Sequence, residues 1–147
     1  MRFIETTGDI SQLLKEVEQL TFYRDGIGID MAFPSDAGLP AWLSKTPNIV
    51  AVMNELAHKL GGRVDHMMLN RLKAKGFVKE HIDPINRGER WHLPLTTNVE
   101  TIWWDELEGT FHMRAGLWWG PVPYKVLHSV RNDGSTDRIH LVVDVLR

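Results

Sequence analysis

A mainly β domain with N-terminal helices is the fold class this sequence predicts. Two observations carry the prediction. Helical periodicity is confined to the part before Gly61-Gly62, and beyond it β-rich runs alternate with turn residues about every ten positions. At 147 residues the chain is sized for one domain, which buries roughly 70% of its unfolded surface and so supports one true core. No repeat, low-complexity tract or linker divides it. We read residues 1–147 as a single domain, with 1–62 helices and loop and 63–147 a β core.

The elements follow in order. Residues 9–20, DISQLLKEVEQL, open with Asp9 as N-cap and put Ile10, Leu13, Leu14 and Val17 on one helical face. From Asp25 to Pro47 glycines and prolines recur without a period, which predicts a long loop of the kind that serves as a lid or binding loop. Pro47 starts a second helix over 47–60, with Ile49, Val50, Met53, Leu56, Ala57 and Leu60 as its apolar face and Gly61-Gly62 as its stop. Strands are expected at 63–72, 77–82, 90–97, 99–104, 110–113, 117–119, 125–131 and 138–145. Turns separate them at Lys75-Gly76, 86–88, Glu108-Gly109, 120–123 and Asp133-Gly134. Roughly eight short strands behind two helices fit a double-stranded β-helix, or jelly roll: two facing sheets with an open mouth.

Composition narrows the function classes. A net charge of -2 offers no basic field for a phosphate backbone, so no nucleic-acid partner is expected. The chain has no cysteine, so any metal must be held by nitrogen and oxygen. The first residues carry no basic-then-apolar leader pattern, and no window approaches a membrane span; a cytoplasmic protein without membrane association is the expectation. Six tryptophans, with adjacent pairs at 103-104 and 118-119, predict a bulky core or cavity wall into which one member of each pair points.

The first chemical signal is His81-Ile82-Asp83. Residues two apart on a strand share a face and lie about 6.6 Å apart, so an imidazole and a carboxylate can converge on one ion. Alone the spacing is weak, and a surface turn before Pro84 explains it equally well. The second signal is HSVRNDGSTDRIHLVVDV at 128–145. Asp133-Gly134 supplies hairpin chemistry, which would put His128 and Arg138 on neighbouring antiparallel strands. A three- or five-residue loop or a bulge turns both inward; a two-residue turn at 133-134 pairs His128 with Ile139 and turns Arg138 away. An arginine inside a small barrel needs an anionic partner, which a ligand can supply. Two histidines and one carboxylate with open coordination positions form the facial triad suited to Fe(II) oxygenases.

In HIDPINRGERWHLPL at 81–95 followed by HSVRNDGSTDRIHLVVD at 128–144, the chain resembles the aspartyl/asparaginyl β-hydroxylases and related 2-oxoglutarate dioxygenases. The resemblance runs from about Asn70 to Asp144. It implies iron ligation by His81, Asp83 and His128, and a salt bridge from Arg138 to the distal carboxylate of 2-oxoglutarate. It further implies that Arg90 and His92 line the site and that Asn70 lies near the co-substrate. Fe(II), 2-oxoglutarate and O2 would act together to hydroxylate an amino acid, free or within a peptide or protein. The guanidinium fork of Arg90 suits a substrate carboxylate. Some relatives lack the acidic ligand, whereas this chain has Asp83. Residues before about 60 share no such likeness, so the substrate does not follow from it, and neither does the oligomeric state.

Other residues read more plainly. His58, His66 and His112 lack a second ligand at useful spacing and are expected to be surface or structural. His92 divides between a structural role and contact with the co-substrate or substrate; His140 reads as packing or support. Asp105, Glu106, Glu108 and Asp144 are expected on solvated rims. Ser129 lacks the elbow motif of a hydrolase. Two rivals remain: a cupin-like protein that binds a small acid through its metal, and a metal isomerase or dioxygenase independent of 2-oxoglutarate, in which Arg138 holds the substrate.

Overall fold

The computed structural model describes residues 1–24, 29–32, 44–83, 88–122 and 125–147, apart from the side chain of Arg24. Its strands are β1 (Arg2–Glu5), β2 (Tyr23–Arg24), β3 (Asp30–Ala32), β4 (Arg63–Leu72), β5 (Phe77–His81), β6 (Glu89–Thr96), β7 (Thr101–Asp105), β8 (Gly109–Phe111), β9 (Leu117–Val122), β10 (His128–Asn132) and β11 (Arg138–Leu146). Helices α1 (Ile10–Val17) and α2 (Pro47–Leu60) precede β4. The strands form a seven-stranded sheet in the order β1-β9-β6-β11-β4-β3-β2 and a four-stranded sheet in the order β5-β10-β7-β8. Every pairing is antiparallel. This is the two-sheet jelly roll that the strand pattern predicts.

Alternation sorts the larger sheet into two chemistries. Met67, Leu69, Trp91, Leu93, Leu95, Leu141, Val143 and Val145 form one buried cluster with Leu13, Val17, Ile49, Val52, Leu56 and Leu60 of the helices. Because strand side chains alternate with period two, the intervening residues point to the opposite face. Those residues include Asn70, Arg90, His92, Arg138, His140 and Asp144, and register brings them together: His140 lies opposite Asn70, and Asp144 opposite Arg90. The helices therefore cover the apolar face and leave the polar face to the site.

The helices are held by local chemistry. Asp9 caps α1 by accepting from the Ser11 amide at 2.9 Å. Thr46, at the start of α2, makes no side-chain cap bond. Buried Glu16 of α1 supplies the cap instead, accepting from the backbone amides of Asn48 and Ile49, each at 2.9 Å. A carboxylate at that position also opposes the positive end of the helix dipole. Gly61 closes α2 in the left-handed region, at φ 71°.

Several expectations are corrected here. Three strands, β1 to β3, occur where the sequence predicts only helix and loop. They are two to four residues long, too short for alternation to register. β3 lies within the predicted 25–47 loop; residues 25–28 and 33–43, with the lid expectation, fall outside the described residues. The turn predicted over 120–123 is not found at its start, because β9 runs through Val122. Gly120 serves close packing: a Cβ there would meet the Trp91 ring at 2.6 Å.

The hairpin predicted around Asp133-Gly134 does not form. β10 pairs with β5 and β7, whereas β11 pairs with β4 and β6, so the connection crosses from one sheet to the other. Asn132, fully buried, makes the corner. Its amide nitrogen donates to the carbonyls of Thr136 at 2.8 Å and Leu72 at 3.2 Å, and its oxygen accepts from the Gly134 amide at 3.2 Å. These bonds replace the ladder bonds a hairpin would supply. No helix among the described residues is long and apolar enough to cross a membrane.

Candidate metal centre

His81 ends β5, Asp83 follows two residues later, and His128 begins β10 directly opposite His81. Asp83 thus lies just past the strand, not within it. The three offer ligand atoms that all lie within 4.8 Å of one another. Asp83 Oδ1 is 3.2 Å from His81 Nε2, and Oδ2 is 3.4 Å from His128 Nε2. Each imidazole is oriented from behind: His81 Nδ1 lies 2.7 Å from the Lys79 carbonyl, and His128 Nδ1 3.0 Å from the Val126 carbonyl. A carbonyl can only accept, so both Nδ1 atoms carry a proton; both Nε2 atoms face the carboxylate, which accepts from them when they are protonated, and without that proton each offers its lone pair to a metal. Burial raises the Asp83 carboxyl, but hydrogen bonds from His128 and His81 and the charge of Arg90 outweigh it and hold the group well below the usual carboxylate range.

Trp103 stacks on His128 with ring centroids 4.9 Å apart and planes 10° from parallel. Its indole N–H donates to Asp105 at 3.0 Å, and the other oxygen of Asp105 accepts from the amides of Leu107 and Glu108. Asp105 is therefore buried, at 1% exposure, contrary to the solvated rim expected for it. Of each tryptophan pair one member is deeply buried, Trp103 and Trp118.

The facing sheet contributes Arg138, at 1% exposure, on the inner surface of β11. Its Nη2 lies 2.9 Å from His140 Nδ1 and its Nε 3.1 Å from His140 Nε2. A neutral imidazole has one acceptor nitrogen, so only one of these approaches is a hydrogen bond at a time. Among the described residues Nη1 has no partner, and no carboxylate pairs with the group. Burial pushes this guanidinium down to about 9. Asn70 Oδ1 is likewise buried without a partner. His92 Nδ1 lies 3.1 Å from His140 Nδ1. Burial first, and then the charge of Arg138, holds both rings well below the usual imidazole value, so both are neutral.

Arg90 does not present an open fork. Its Nε and Nη2 bind the two oxygens of Asp144 at 2.8 and 3.0 Å, and its Nη1 reaches Asp83 Oδ2 at 3.3 Å. Asp144, at 4% exposure, is thus an internal anion, contrary to its expected place on the rim. The same two-residue period that turns Arg138 and His140 inward also reaches Asp144, and that was the signal available for it. Glu106 and Glu108 are exposed as expected. His66 is half-exposed, 3.7 Å from Asp144, and His112 bonds the Thr101 carbonyl at 2.9 Å.

A cavity of about 470 Å³ joins these groups: His81, Asp83, His128, Arg90, His92, Asn70 and Arg138 all line it, with Ile29, Met31, Met68, Val78 and Ile82 as apolar wall. The donor set suits a divalent metal that takes nitrogen and oxygen. The orphaned Arg138 Nη1 in a buried, cationic recess suits an anionic ligand.

Fold and site together define a class: a double-stranded β-helix whose mouth gathers two histidines and an acid. Within that class the chain belongs to the aspartyl/asparaginyl β-hydroxylase family, which residues 15–147 match. Among solved structures it is similar to an oxidoreductase of the 2OG-Fe(II) oxygenase family from Burkholderia pseudomallei, at 13% identity and a TM-score of 0.59, covering 92% of this chain and 76% of that one. A prolyl hydroxylase from Trichoplax adhaerens, in complex with a hypoxia inducible factor peptide fragment, gives 14% identity and a TM-score of 0.59, covering 99% and 82%. A predicted oxalate decarboxylase from Thermotoga maritima gives 16% identity and a TM-score of 0.52, covering 88% and 96%. These likenesses establish the shared jelly-roll fold. No curated protein matches the sequence.

Proposed function

We propose that this protein is an Fe(II)- and 2-oxoglutarate-dependent dioxygenase that hydroxylates a C–H bond of an amino acid, free or within a peptide. The observation that carries the reading is Arg138: a fully buried guanidinium with an unpartnered Nη1, on the wall of the cavity that also holds the triad. An unpaired buried charge costs several kcal/mol, and the distal carboxylate of a dicarboxylic acid would relieve that cost. A triad without such an anchor would fit a simple metal-binding protein equally well.

Each residue then has a task. His81, Asp83 and His128 would hold the metal by one face and leave the others open. Arg138 would pair with the distal carboxylate, and Asn70, through its unpartnered Oδ1, would accept a hydrogen bond beside it. Neutral His140 buttresses the guanidinium without adding charge, and neutral His92 packs behind His140. Ile29 and Val78 would flank the co-substrate's methylenes and exclude water. When bound, iron and 2-oxoglutarate supply the O2 chemistry, in which the keto acid becomes succinate and CO2 and one oxygen atom enters the C–H bond.

The test is substrate-stimulated succinate release. Purified protein with Fe(II), 2-oxoglutarate and O2 is screened against amino acids and peptides, with Arg138→Ala alongside. Succinate that depends on iron and is lost in the variant is the expected result. Metal binding without succinate for any substrate would favour a cupin-like acid-binding protein.

A further inference from the structure

We propose that Asp144 is a positioning residue which, through Arg90, fixes the Asp83 carboxylate for metal binding. The inference rests on the metal centre proposed above and adds a residue to it.

The ladder fixes His81 and His128, which pair directly, but Asp83 lies beyond the last residue of β5 and gains nothing from that register. Among the described residues its carboxylate is met by side chains: the two imidazoles it shares the site with, and Arg90. Arg90 reaches it at 3.3 Å, and Arg90 is itself held in a bidentate clasp by Asp144, which sits directly opposite on β11. The two contacts to Asp144, at 2.8 and 3.0 Å, are shorter than the one to Asp83. Arg90 is therefore anchored on β11 and offers Asp83 a single N–H.

Charge favours the arrangement. Without Asp144, Arg90 would lose its bidentate carboxylate, and its fork would be released to compete with the metal for Asp83. With Asp144 the guanidinium is already neutralised, so Asp83 keeps its charge for the metal. Arg90 then lends direction and does not capture the ligand. Partners that orient a metal ligand in this way are worth about 10- to 100-fold in metal affinity. The clasp also occupies the fork that would otherwise read a substrate carboxylate.

The experiment is a double-mutant cycle on the whole protein, read as Co(II) affinity by calorimetry and visible absorption. Asp144→Asn should weaken Co(II) binding by about tenfold or more. In an Asp83→Asn background the same change should have no further effect, because the arm then has nothing to orient. Arg90→Lys, which keeps the charge and loses the fork, should weaken binding in the same direction. If Asp144→Asn does not fold, Arg90→Lys and Asp144→Glu carry the same cycle. Unchanged Co(II) affinity in the single variants overturns the inference, as does an equal loss with and without Asp83, which would mark a general structural effect. Failure of the unaltered protein to bind Co(II) would remove the metal centre itself, a different and separately readable result.

Discussion

His128 lies directly across from His81 between β10 and β5, with ring centroids 4.3 Å apart, and each ring commits its Nδ1 to the carbonyl two residues before it. The two Nε2 atoms are thus turned toward Asp83 by the strands themselves. Replacing either histidine by alanine should lower Co(II) or Fe(II) affinity by about 100-fold or more, since half of the nitrogen donor set is lost. Because Trp103 stacks on His128, its fluorescence should be quenched as Co(II) binds. Quenching that persists undiminished in Trp103→Phe would place the metal elsewhere.

Arg138→Met removes a buried cation that meets no carboxylate among the described residues, and keeps most of the volume. The ligand-free variant should be as stable as the parent or more stable by about 1–2 kcal/mol in urea unfolding. It should also lack the thermal stabilisation that the proposed function predicts 2-oxoglutarate to give the metal-loaded parent. A variant markedly less stable than the parent would mean the guanidinium is satisfied within the protein.

Acid should destabilise the fold in a definite window. His92 and His140 are held neutral, below the ordinary value of 6.5, so the unfolded chain binds more protons than the native one once pH falls under that value. Stability is fully present above about pH 6.5 and falls below it by up to about 2.7 kcal/mol per pH unit, two protons' worth. Asp83, with its depressed carboxyl, adds a further loss only below its unfolded value near 3.8. Urea midpoints measured from pH 8 to 5.5 check the first window, and His140→Gln should halve the slope.

Glu16 ties the two helices together by capping α2 from α1. Glu16→Ala leaves the Asn48 and Ile49 amides without their acceptor and should cost about 2–3 kcal/mol in equilibrium unfolding. Metal affinity should be unchanged, since the helices lie on the far side of the larger sheet from the cavity.

Much of this was legible in the residues. The eight strands from β4 onward fall close to their predicted spans, because each is bounded by a turn and long enough for alternation to register. The same alternation foretells that Arg138 and His140 share a face. The His-X-Asp pair and the later histidine are legible as chemistry. What escaped was long-range pairing. Asp133-Gly134 reads as a hairpin turn, and only the bonds of Asn132 reveal a corner between sheets. Asp105 and Asp144 look solvated because an acid near a chain end or a turn usually is; Asp144 is buried by Arg90 of a neighbouring strand, 54 residues away, whereas Asp105 is held by Trp103 two residues before it, a bond that alternation alone does not announce.

That corner has a consequence for the cavity. Since β10 and β11 belong to opposing sheets, His128 and Arg138 are separated by the depth of the sandwich, and the few residues of chain between them do not set their spacing. The packing of the two layers is in effect a caliper. On the proposed function a guest acid would have to reach from one jaw to the other, and lengthening the connecting segment would leave the gauge unaltered.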